Sequence, residues 1–225
     1  MLKRALLIFA KEPRPGKSKT RMTPPLTPDQ AASLSSAFIE DTLSAALGVD
    51  QADVYLFYTP HEAITSFREL VPEGITLIPQ EGADLCERCA HSVTYAFAKG
   101  YDRIVQIGTD TPQIRSTYIQ EAFSILEDCD MALGPANDGG YYLLALNRPV
   151  VSVYGGVEMG TLSVFKTMME NGRLAGLSIR VLSEWVDADT FKDLTLLQDD
   201  PEHILGSATH KFLATLHSLR NFPAM

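Results

Sequence analysis

The sequence predicts an α/β fold in three layers, a mostly parallel β-sheet with helices packed on both faces. Three observations carry that prediction. Apolar runs without polar alternation, the first being Ala5 to Ala10, read as strands buried on both sides. Through the first half of the chain such strands alternate with amphipathic helical segments, the pattern of successive β-α-β units. The chain has 225 residues, 45% hydrophobic and 21% charged, enough for one well-cored domain and short for two. Residues 1–225 are therefore expected to form a single domain.

After the strand Ala5–Ala10, five prolines between Lys11 and Pro28 mark a loop. Pro28 and Asp29 open a helix whose inward positions are Leu34, Phe38, Thr42, Leu43 and Ala46. Val54–Tyr58 and Ile75–Ile78 read as the next strands, with a helix over His61–Leu70 between them. Ala83–Lys99 is an amphipathic helix with Cys86, Cys89, Val93 and Phe97 on one side and Gly100 as its stop. Ile104–Ile107 is a buried strand, followed by a helix over Ser116–Glu127. Met131–Leu133 and Tyr141–Leu146 are two further strands. A Gly-rich loop, a helix over Leu162–Glu170, a strand at Ile179–Leu182, a turn at Asp187–Thr190 and a helical segment at Pro201–Leu219 complete the order. No internal repeat or low-complexity stretch interrupts it.

The net charge is −9 and the pI about 5.0. An acidic surface of that kind disfavours nucleic acid and anionic membrane as partners. Three cysteines, Cys86, Cys89 and Cys129, are too few and too odd for a disulfide framework. The apolar run near Met1 ends at Lys11, too short for a signal peptide, and nothing later reaches membrane-spanning length. These features point to a cytoplasmic protein without membrane insertion.

Against that acidic background, the loop after the first strand gathers Lys11, Arg14, Lys17, Lys19 and Arg21 around one acid. In an open α/β sheet, ligands bind beyond the carboxyl ends of the strands, where this loop lies. Pro13 and Pro15 stiffen it, and Gly16 lets backbone amides approach an anion. A di- or triphosphate is the ligand such a loop fits. Gly16-Lys17-Ser18 matches the end of a P-loop, but the first glycine of that motif would fall at position 11, which is Lys11.

Three acidic turns accompany it, the first, at Asp110, on the same rim as the basic loop. Asp110 lies just past Ile104–Ile107 and suits Mg²⁺ or Mn²⁺, which take oxygen ligands from one or two carboxylates together with phosphates; it can equally cap the turn. Asp138 precedes Gly139, Gly140, Tyr141 and Tyr142. Paired glycines admit a ligand close to the main chain, and the tyrosines offer stacking and hydrogen bonds; Asp-Gly is also a plain turn signal. Asp187 and Asp189 follow the strand at Ile179–Leu182, where Asp189 is also a candidate helix N-cap.

In this order the segments resemble a bacterial family of glycosyltransferase-A-like (GT-A) proteins, the nucleotide-diphospho-sugar transferases, related to sugar-phosphate and molybdenum-cofactor nucleotidyltransferases. The matching residues are Phe9, Ala10, Lys11, Pro13, Pro15, Gly16, Lys19, Thr20 and Arg21; Gly108, Thr109, Asp110 and Pro112; Leu133 to Ala136 with Asp138 to Tyr142; Asp187, Asp189 and Thr190; and Gln80 with Asp84, Leu85, Glu87 and Arg88. The resemblance implies the GT-A type of three-layer fold. It also implies a nucleotide held by Lys11, Pro15, Gly16, Lys17, Lys19, Thr20 and Arg21 with Gln80 and Arg88, and a substrate against Gly139, Gly140 and Tyr141. A divalent metal, Mg²⁺ or Mn²⁺, would sit on Asp110 with a second ligand from Asp187 or Asp189, Asp138 being another candidate. The chain departs from the family pattern at Phe191-Lys192, where Pro-Glu is usual, and at Met159, where an aromatic is usual.

The expected activity is transfer of a sugar from a nucleotide-diphospho-sugar to a small-molecule or glycan acceptor. The metal on Asp110, helped by Lys17, Lys19 and Arg21, would neutralise the departing diphosphate, and Asp138 would serve substrate hydroxyls or act as general base. The alternatives are nucleotidyl transfer to a phosphorylated small molecule with release of pyrophosphate, and nucleotide binding without turnover. Cys86-Glu-Arg-Cys89 has metal-like spacing but lies on the apolar helix face without a second pair, so core packing is expected. Packing is likewise expected of Trp185, the one tryptophan.

Overall fold

A computed structural model of the chain describes residues 2–199 and 206–216. Its strands are β1 (Arg4–Lys11), β2 (Ala52–Thr59), β3 (Ile75–Pro79), β4 (Arg103–Ile107), β5 (Met131–Pro135), β6 (Tyr141–Leu146) and β7 (Ile179–Val181). The helices are α1 (Pro28–Leu47), α2 (Ile64–Leu70), α3 (Leu85–Ala98), α4 (Ser116–Ile125), α5 (Val164–Leu174), α6 (Phe191–Asp199) and α7 (Ala208–Thr215). All seven strands join one sheet in the order β3-β2-β1-β4-β6-β5-β7. Pairing is parallel except where β6 runs against β4 and β5.

Side-chain alternation along β1 builds the layers. Leu6, Ile8 and Ala10 face a core completed by Ile39 and Leu43 of α1, Phe67 of α2 and Ile119 and Phe123 of α4. Ala5 and Leu7 face the opposite core, with Val93 and Ala96 of α3 and Met168 of α5. Both sides of β1 are fully buried, which is why its sequence shows no polar alternation. A third apolar cluster joins Met22 and Leu26 of the first loop to Phe38 of α1, Ala188, Leu194 and Leu197 of α6 and Leu213 of α7.

Strand β6 needs a reversed direction because only five residues separate it from β5, too few for a crossover. The ends of β1 and β4 and the start of β6 therefore share one rim. The helix expected over His61–Leu70 is split into a 3-10 turn at His61–Ala63 and α2. The helix expected over Leu162–Glu170 begins two residues later and runs to Leu174, ending before Gly176 with φ 69°. The Asp187–Thr190 turn leads directly into α6, a helix over 191–199 that the N-cap reading of Asp189 implies but to which the sequence pattern gives no bounds. Of the helix expected at Pro201–Leu219, α7 is the part inside the described residues; 201–205 and 217–219 lie outside them.

Candidate active site

The loop leaving β1 is shaped by its own backbone. Lys17 and Ser18 donate their amides to Arg14 O at 3.0 and 3.1 Å, closing a turn. Lys19 then adopts φ 46°, ψ 40°, a left-handed conformation that side-chain-bearing residues rarely take, before a 3-10 turn at Thr20–Met22. Buried Met22 anchors that turn in the third apolar cluster. The left-handed step turns Lys19 inward, and its side chain is 5% exposed. Lys19 Nζ meets Asp110 Oδ1 at 2.9 Å, Asp189 Oδ1 at 3.0 Å and Ala188 O at 2.7 Å, and lies 5.3 Å from the centre of the Phe38 ring. Burial alone would lower the affinity of Lys19 for its proton, but Asp110 and Asp189 outweigh it and hold the ammonium above its ordinary range. Arg21 reaches Asp189 Oδ2 at 3.4 Å, whereas Arg14 turns to Glu12 and takes no part in the cleft.

Four carboxylates converge opposite this loop. Asp110 follows β4, Asp138 sits in the turn between β5 and β6, and Asp187 and Asp189 precede α6. Three hydrogen bonds hold the last segment: Ala188 N donates to Asp110 O at 2.8 Å, Asp187 N to Asn137 Oδ1 at 2.9 Å, and Gln113 Nε2 to Val186 O at 2.7 Å. Asp193 caps α6 from within by accepting the amides of Asp189 and Thr190. The carboxylate of Asp189 is thereby free for Lys19 and Arg21 instead of serving as the N-cap. Among the described residues, Asp138, Asp187 and Asp189 form a group with ligand oxygens all within 4.8 Å of one another. Burial, and then the charge of Asp110, push the Asp187 carboxyl up to about 8.

These groups line a cleft with two lobes. The first, about 490 Å³, is bounded by Lys11, Lys17, Thr20, Gln80, Arg88 and Ser35. The second, about 310 Å³, is bounded by Asp138, Gly140, Tyr142, Met159, Val164 and Asp187. Arg21, Asp110 and Asp189 border both and mark the junction. The first lobe is lined by five cations, and the second by one cation and four carboxylates.

Most of the sequence-predicted residues meet here, with some redistribution. Asp110 is the partner of Lys19, while Asp138 joins Asp187 and Asp189. Pro15 and Gly16 line neither lobe, because the turn at Arg14–Ser18 carries them outward. Gly139 (φ 83°) packs instead on the backbone of Leu162, where an added Cβ would stand 2.6 Å away. Tyr141 lines the second lobe, but its hydroxyl is buried against Gln106 Oε1 at 3.5 Å and Cys89 Sγ at 3.8 Å. Tyr154 also donates to Gln106 Oε1, and Gln106 Nε2 donates to Ser92 Oγ, completing a polar floor. Gln80 Nε2 is held by Ala10 O and Phe57 O, and Arg88 Nε by Gly82 O. Cys89 is buried and Cys86 half-buried against Val157 O, both part of a core. Trp185 stacks edge-on with Tyr118 at 4.8 Å, outside the cleft lining. The roles of Asn137, Gln113 and Asp193 escaped notice in the sequence, since amide side chains in loops and a single acid in a helix's first turn carry no periodic signal.

Comparison with known proteins adds four findings. The model of a family described as uncharacterized proteins conserved in bacteria (DUF2064) matches residues 42–161. A crystal structure from Desulfovibrio desulfuricans G20, of a protein provisionally named a nucleotide-diphospho-sugar transferase, superposes with a TM-score of 0.92 at 33% identity, over 100% of both chains. The 2-phospho-L-lactate guanylyltransferase of Methanothermobacter thermautotrophicus is 26% identical over 181 residues, covering 79% of this chain and 77% of that protein. Rv0371c of Mycobacterium tuberculosis H37Rv, solved in complex with manganese, shares the fold at TM-score 0.52 and 21% identity, over 88% of this chain and 99% of that one.

Proposed function

The chain belongs to the DUF2064 family conserved in bacteria, and from that membership and its two-lobed cleft we propose that it is a metal-dependent transferase using a nucleotide-diphospho-sugar. The observation that carries this reading is the opposed character of the lobes. Lys11, Lys17, Arg21 and Arg88 line the first, where the diphosphate would lie. The second is acidic and half apolar, suited to a group rich in hydroxyls and poor in negative charge. A phosphorylated acceptor would meet four carboxylates there.

The donor set fits a divalent cation. Asp138, Asp187 and Asp189 supply hard oxygen ligands, all within 4.8 Å of one another. When bound, the ion supplies Lewis-acid neutralisation of the diphosphate; the Mycobacterium protein with manganese supports the assignment. The chain's own groups do the rest. Lys17 and Arg21 receive negative charge as the bond from the sugar's anomeric carbon to the diphosphate oxygen breaks. The acceptor hydroxyl enters at the exposed edge of the second lobe beside Asp138 and loses its proton to solvent as the new bond forms.

Nucleotidyl transfer is the second reading, favoured by the guanylyltransferase relative. Products separate the two. The protein is incubated with Mn²⁺ and each of a panel of sugar nucleotides and nucleoside triphosphates. Release of nucleoside diphosphate from a sugar nucleotide, lost in Asp187→Asn, is the expected result. Pyrophosphate release from a triphosphate in the presence of a phosphorylated acceptor would overturn it in favour of the second reading.

A further inference from the structure

Lys19 is the most constrained cation of the first loop. An ammonium has three N–H donors and no acceptor. Three oxygens from three residues, Ala188 O, Asp110 Oδ1 and Asp189 Oδ1, lie within 3.0 Å of its Nζ. The side chain is 5% exposed, and Phe38 covers another side. No donor remains for a phosphate oxygen, and little of the side chain is open to one, although Lys19 borders the first lobe. Lys11, Lys17 and Arg21 differ in being exposed.

We propose that Lys19 is a positioning residue which acts through Asp110 and Asp189, not a ligand of the phosphates. It pins one oxygen of each carboxylate and ties the loop after β1 to the loops after β4 and before α6, while Arg21 holds the second oxygen of Asp189. Its backbone supports this role. The left-handed conformation is one that side-chain-bearing residues rarely take, and the ion pairs of the buried ammonium hold Lys19 in it. Lys19 also places a fixed positive charge beside the proposed metal group, so it lowers the pull of those carboxylates on a cation. This inference rests on the transferase reading for its metal and diphosphate, but its tests do not require turnover.

The experiment compares wild type, Lys17→Met, Lys19→Met, Asp189→Asn and Lys19→Met/Asp189→Asn. The double variant removes both charges of one pair and covers the case in which Lys19→Met alone does not fold. Inorganic pyrophosphate binding is measured calorimetrically in EDTA, and Mn²⁺ binding by the loss of the free-ion paramagnetic resonance signal. Lys17→Met is expected to weaken pyrophosphate about tenfold, while Lys19→Met stays within about twofold of wild type and binds Mn²⁺ several-fold more tightly. Thermal melts are expected to show that Lys19→Met and Asp189→Asn are not additive, the double variant losing less than the sum of the singles.

A tenfold loss of pyrophosphate in Lys19→Met, matching Lys17→Met, would overturn the proposal, as would weaker Mn²⁺ binding in a folded variant. If wild type binds neither pyrophosphate nor Mn²⁺, the transferase reading fails. Additive melts would then overturn the positioning role, and non-additive melts would support it on their own.

Discussion

Asp187 sits half-buried with Asp110, Asp189 and Asp138 around it, and only Lys19 close enough to offset them. Its carboxyl is pushed up to about 8, against 3.8 for an ordinary Asp, first by burial and then by Asp110. The folded protein therefore keeps a proton there that the unfolded chain releases. Stability from this group is full below about pH 4 and is lost as pH rises through 8. In EDTA, melting temperature is expected to fall between pH 5 and pH 8.5, and Asp187→Asn is expected to flatten that slope. Gly139 gives a second prediction at this scale. Its φ of 83° and the 2.6 Å gap to Leu162 leave no room for a methyl group, so Gly139→Ala should destabilise by more than about 1 kcal/mol in urea unfolding. The rim residues were legible in the sequence because charged and glycine-rich turns follow apolar strands. Which carboxylate faces Lys19 and which faces its fellow acids was not legible. That partition depends on the left-handed turn at Lys19 and on Asp193 capping α6 in place of Asp189.

At the scale of elements, α1 starts with a complete capping box. Thr27 accepts the amide of Gln30, whose side chain accepts the amide of Thr27, and Pro28 occupies the first turn. Thr27→Ala should cost about 1 kcal/mol in denaturant titration. The signal for that helix, and those for β1, β2 and β4, were plain in the sequence because each element is either buried on both faces or strictly amphipathic. Less was visible where tertiary contacts decide. His61–Leu70 has a helical composition, but Pro60 precedes it and the first turn tightens to 3-10. Helix α6 is short, and Leu194 and Leu197 gain their apolar partners only when α1 and α7 pack against them. The start of α5 was obscured because Leu162, apolar and 84% exposed, imitates a buried first turn while its backbone packs on Gly139.

For the whole molecule, the first lobe of the cleft concentrates positive charge in a protein of net charge −9. No helix among the described residues is long and apolar enough to cross a membrane. A divalent cation that binds the folded cleft and not the unfolded chain stabilises by mass action, about 2.7 kcal/mol at a hundred times its Kd. Mn²⁺ should therefore raise the melting temperature of wild type, and the rise should be lost in a variant carrying both Asp138→Asn and Asp187→Asn. An unchanged rise in that variant would place the ion elsewhere.

The ion pair between Lys19 and Asp189 also has a consequence in time. The two residues stand 170 positions apart. At about 5–20 residues per second, the ribosome needs roughly ten to thirty seconds to make that stretch. During that interval the basic loop has left the ribosome, or is leaving it, without its late acidic partner. Met22 and Leu26 likewise wait for α6 and α7. The sheet can assemble from β1 outward as the chain emerges, but the cleft closes last. A growing chain thus acquires most of its sheet before its charge balance, and only a chain made past Asp189 has all the carboxylates of the site.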